Sequence, residues 1–151
     1  MILLADLVRI PDPFPKELVP PVSADTVRAF RIRMSKLVTI CLRNGVLNRE
    51  EAREFVKKAQ DVLGTVEDLQ HRITLREVMD NGDVYDLRIR WKEEYRKFFR
   101  FRDILRDSLN LLVQHQFMQI EVGDNVKREV DGFYSQLIEI DKTIRSALRR
   151  L

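Results

Sequence analysis

The chain of 151 residues is 44% apolar and 34% charged, with 27 Lys and Arg against 24 Asp and Glu for a net charge of +3. That length suits one domain with a buried core, and so heavy a charge load favours amphipathic helices over buried strands. One cysteine, Cys41, excludes an internal disulfide and a cysteine metal cluster, and no run approaches the ~20 apolar residues of a membrane span.

The opening MILLA is too short for a signal peptide and lacks its basic flank. A soluble protein of the cytoplasm or of a virion, with no membrane partner, is therefore expected. Four of the five prolines fall before residue 21, so the remainder has few turns, as expected of long helices.

Residues 1–22 read as an extended arm. Ile2, Leu4, Val8 and Ile10 recur at even positions, and Pro11, Pro13 and Pro15 are spaced two apart, which excludes a regular helix. Polyproline II suits that spacing. The apolar anchors Ile2, Leu4, Leu7, Val8, Ile10 and Phe14 make the arm a candidate for docking on a neighbouring subunit, the alternative being that it folds back along its own bundle.

A single helical-bundle domain is predicted over 23–151. Its first helix, about 24–43, is capped by Ser23 or Asp25 and stopped by Asn44-Gly45. Val27, Phe30, Met34, Leu37 and Cys41 form its apolar seam at 3-4 spacing. The second, about 49–73, opens on a capping box of Asn48 and Glu51, with Leu47 as a hydrophobic staple. Its seam is Ala52, Phe55, Ala59, Val62, Val66, Leu69 and Ile73, with Gly64 off the seam and tolerated.

Residues 73–91 fit two structures. Tyr85, Leu87, Ile89 and Trp91 alternate with polar residues around the turn signal Asn81-Gly82, the pattern of a short β-hairpin. Val84, Leu87, Trp91, Tyr95 and Phe98 also fit helical spacing with Asp83 as cap, and a lone hairpin is marginal, so helix is preferred.

The third helix, about 84–120, is apolar on more than one side. Phe98, Phe99 and Phe101 point in three directions, and so do Leu111, Leu112 and Val113. Such a helix is either the middle of the bundle or half of an intermolecular contact. The fourth, about 125–150, is placed after a break at Gly123 with Asp124 as cap. It carries the seam Val126, Val130, Phe133, Leu137, Ile140, Ile144, Ala147 and Leu151, flanked by Tyr134 and Ile138. Lys142, Arg145, Arg149 and Arg150 crowd its end, where the helix dipole alone accounts for them.

The window 88–106 holds eight basic and three acidic residues, a local charge of +5 that leaves about −2 for the rest. Arg88, Arg90, Lys92, Arg96, Lys97, Arg100 and Arg102 alternate there with Trp91, Tyr95, Phe98, Phe99 and Phe101. Bases that neutralise phosphates beside rings that stack on unpaired bases would bind nucleic acid. The competing reading puts Trp91, Tyr95 and Phe98 in the core, with Glu93, Glu94, Asp103 and Asp107 pairing the bases on a solvated face.

His71 and His115 have no second ligand at metal spacing, and the serines sit in no nucleophile-elbow context. No phosphate-binding glycine loop is present. The expectation is an all-α antiparallel bundle of about four long helices, not an enzyme and without cofactor or metal. It would serve as a structural or assembly subunit of a larger complex, a homo-oligomer or virion among the candidates. A nucleic-acid-binding accessory protein is the alternative.

Overall fold

In the computed structural model, which describes residues 21–74 and 81–150, every regular element is an α-helix. These are α1 (Ala24–Arg43), α2 (Arg49–Thr74), α3 (Asn81–Gln114) and α4 (Ile120–Arg149). The side chains of 73, 74 and 81 also lie outside the described set, as do Leu151 and the arm anchors Ile2, Leu4, Leu7, Val8, Ile10 and Phe14. Val22, read as the end of the arm, belongs to the bundle: its side chain is buried and its N–H donates to Gln70 Oε1 at 2.6 Å.

Local chemistry sets the helix ends. Ser23 caps α1, its Oγ accepting the Thr26 N–H at 3.1 Å. Gly45, at φ 71°, ends that helix: the Val46 N–H reaches the Cys41 carbonyl and the Gly45 N–H the Leu42 carbonyl, a Schellman closure. The capping box that opens α2 is present in full. Asn48 Oδ1 accepts the Glu51 N–H at 2.8 Å, and Glu51 Oε1 accepts the Asn48 N–H at 3.0 Å.

The α3–α4 turn closes in the same way but without a glycine. Gln116 takes the left-handed conformation at φ 62°, with the Phe117 N–H on the Leu112 carbonyl and the Gln116 N–H on the Val113 carbonyl. This corrects the predicted break at Gly123 and the predicted cap at Asp124. Helix α3 stops at Gln114, and Gly123 lies in the first turn of α4, buried against α3. A Cβ on Gly123 would sit 2.7 Å from Val113 Cγ2, so the glycine serves close helix approach, not termination.

The hairpin expected as an alternative over 73–91 is excluded for its described part. Asn81 to Trp91 is the start of α3, and no strand occurs among the described residues. Leu87 and Trp91 are buried while Tyr85 and Ile89 stay exposed, which is the helical and not the alternating assignment of faces.

Each helix packs chiefly on two others, α1 and α3 both against α2 and α4, which gives an up-down-up-down bundle. The seams meet inside. Phe30, Phe55, Phe98 and Phe133, one from each helix, are all fully buried. Their centroids stand 4.8 Å apart for Phe30–Phe133, 5.2 Å for Phe55–Phe98 and 5.8 Å for Phe98–Phe133. Tyr134 lies beside them, its hydroxyl donating to the Phe98 carbonyl at 3.1 Å. Cys41 is fully buried, and desolvation pushes its thiol up to about 12.

Candidate binding groove between α3 and α4

Helix α3 rises about 1.5 Å per residue, so its 34 residues span roughly 50 Å. Trp91, Tyr95 and Phe99 follow one another at four-residue spacing along its side toward α4. Their centroids are 6.0 Å apart for Trp91–Tyr95 and 5.5 Å for Tyr95–Phe99. Trp91 is buried to 2% exposure, whereas Tyr95 and Phe99 are half-buried and present ring surface outward. These rings and buried Leu148 floor an open groove of about 750 Å3.

Charge lines its walls. Arg88, Lys92, Arg96 and Arg100 stand on α3 and Arg145 and Arg149 on α4, against two acids, Asp103 and Asp141. Asp141 is buried, accepts the Trp91 Nε1–H at 2.8 Å and pairs with Arg145 at 2.9 Å. That arrangement fixes the indole and neutralises the buried Asp141 carboxylate, leaving the walls strongly cationic. Arg88 donates to the Leu148 carbonyl at 3.0 Å. Lys92, Arg96 and Arg100 are exposed, with no acid within ion-pair distance and no hydrogen-bond partner among the described residues.

The basic residues singled out from the sequence therefore divide. Arg88, Lys92, Arg96 and Arg100 share the groove. Arg90 turns toward α2 and pairs with Asp68. Lys97 also turns that way, beside Lys58, Asp61 and Glu94 at a notch of about 80 Å3. Arg102 lies over the Phe99 ring at 5.4 Å and, with Arg106, faces Asp131 of α4.

The expected pairing of these bases with Glu93, Glu94, Asp103 and Asp107 is not what the structure shows: Arg90, Arg102 and Arg106 are paired by acids of α2 and α4. Sequence reading left out Arg145 and Arg149 because the helix dipole was reason enough for them. The signal was available in the four-residue spacing of Asp141, Arg145 and Arg149, but it needed the knowledge that α4 lies beside the basic half of α3.

Among the described residues no group of three or more His, Cys, Asp or Glu is placed to hold a metal, and His71 and His115 are both exposed. Among the described residues no helix is long and apolar enough to cross a membrane. The fold and groove define an all-α four-helix bundle with a cationic, aromatic-floored surface site. No protein-family model, no curated protein and no solved structure matches the chain.

Proposed function

We propose that the protein is a non-enzymatic subunit of a larger assembly, making its contacts through the outward side of α3. The observation that supports this is the apolar surface left in solvent there. Tyr85, Ile89, Ile104 and Leu111 are 63%, 38%, 46% and 55% exposed, while Leu87, Trp91, Leu105 and Leu109 of the same helix are buried. Phe117 and Ile120, in and after the adjoining turn, add to it. Scattered exposed leucines are ordinary, but several large apolar residues along one side of one helix mark an interaction surface. Homo-oligomers and virion shells are both assemblies of this kind.

Light scattering on the full chain tests the reading. Association above the 17.9 kDa of one chain is expected, and it should be lost in an Ile104→Glu/Leu111→Glu variant of unchanged helicity. An invariant single-chain mass, alone and with candidate partners, would sink it.

A nucleic-acid-binding role is the second reading, supported by Lys92, Arg96 and Arg100, which have no acid partner among the described residues. Phosphate binding predicts affinity that falls steeply with salt, and a smaller salt slope once Arg96 and Arg100 are reversed.

A further inference from the structure

We infer that the groove between α3 and α4 is the docking site for an acidic amphipathic helix of a partner protein. This rests on the reading of the protein as a binding subunit and names the partner's chemistry. Two antiparallel helices leave between them a furrow into which a third helix lays its apolar ridge. Here the furrow runs from Arg88 to Asp103, about 22 Å at helical rise, or four turns of an occupant.

Its floor and walls specify different parts of that occupant. The half-buried faces of Tyr95 and Phe99 and the buried Leu148 call for apolar anchors. Lys92, Arg96 and Arg100 recur every fourth residue, about 6 Å apart, the interval at which a helix presents Glu or Asp at i, i+4 and i+8. Among the described residues none of these three has an acid of its own, which leaves their charge open to the carboxylates of a partner.

A polynucleotide fits less of this surface. Trp91 is sealed beneath the surface with its N–H committed to Asp141, so it offers no free face for a base.

Trp91, the only tryptophan of the chain, reports on the groove directly. The test titrates the full-length protein with a synthetic helix of about 20 residues, Leu on one face and Glu on the flanks, about 30 Å long. Controls are the same peptide with Lys for Glu and a single-stranded oligonucleotide. Saturable binding of the acidic peptide is expected, with a change in Trp91 emission. Affinity should drop about 10-fold or more in Arg96→Glu/Arg100→Glu and recover on the Lys peptide. Arg53→Glu, on the exposed side of α2, should change nothing.

Tighter binding of the oligonucleotide, lost on the same reversal, would overturn the proposal in favour of nucleic acid. Competition by a peptide of residues 1–20 at equal or higher affinity would assign the groove to this chain instead. No saturable binding of the acidic peptide below about 1 mM also overturns it. Self-association through Ile104 and Leu111 would survive all three results, so the groove and the assembly surface fail separately.

Discussion

Trp91 and Asp141 hold α3 to α4 by a buried hydrogen bond of 2.8 Å, and the second carboxylate oxygen is spent on Arg145. The ring and the acid are 2% and 5% exposed, so neither polar group has water to fall back on. Asp141→Leu would orphan the indole N–H and free Arg145, at a cost of about 1–3 kcal/mol. Asp141→Asn keeps an acceptor for the indole and should lose less. Denaturant midpoints of the two variants decide this, and equal midpoints would show the hydrogen bond to be idle.

The central core should be intolerant of charge. Phe55, Val130 and Leu137 are fully buried on three seam positions, and Asp at any of them would be an unpaired buried charge costing several kcal/mol. Thermal melts check it, and three unchanged transitions would refute the bundle.

Two backbone positions are open to improvement. Nothing lies within 4 Å of a Cβ placed on Gly64, so Gly64→Ala should gain about 1 kcal/mol from helix propensity. Gln116 holds a left-handed φ of 62°, which glycine adopts freely, so Gln116→Gly should gain about 1 kcal/mol and Gln116→Val should lose at least as much. The opposite order of melting temperatures would mean that the α3–α4 turn has another conformation.

Burial keeps the Cys41 thiol protonated in the folded chain, raised from 9.0 to about 12. The contribution is therefore present in full below pH 9 and is lost as pH rises toward 12, because the unfolded chain ionises first. A Cys41→Ala variant should accordingly show a shallower alkaline loss of stability than wild type. Below pH 9, a thiol reagent should label Cys41 only as fast as the chain opens. Rapid labelling under native conditions would contradict the burial.

Removing residues 1–20, and no further, should leave unfolding cooperative and helicity nearly intact while reducing the self-association proposed above. Removal through Val22 should also destabilise, since that residue is core and its N–H is bonded to Gln70. Loss of folding in the shorter deletion would make the N-terminal segment part of the bundle, and unchanged assembly would make it incidental.

The seams of α1, α2 and α4 were legible because each repeats apolar residues at 3-4 spacing, and that period alone assigns the buried face. The first turn was legible for the same kind of reason, a glycine where the backbone turns left-handed. At the second turn the same geometry is taken by Gln116, which no composition rule flags, while Gly123 drew attention for a steric role inside a helix. The groove was half legible. Lys92, Arg96 and Arg100 stood out by density, but Arg145 and Arg149 join them only through the packing of α4 on α3, a relation that no local pattern encodes.

The closure of the bundle between its first and last helices has a consequence for biosynthesis. Phe30 packs at 4.8 Å against Phe133, which the ribosome delivers about a hundred residues later. Until α4 emerges, the α1 seam of Phe30, Met34 and Leu37 has chiefly α2 to cover it, and a nascent chain must carry part of that stripe exposed until then. Stalled chains ending before Ile120 should be cut readily by protease within α1, and chains extended past Arg149 should resist. The fourth helix of the bundle is the one that completes the shelter of the first.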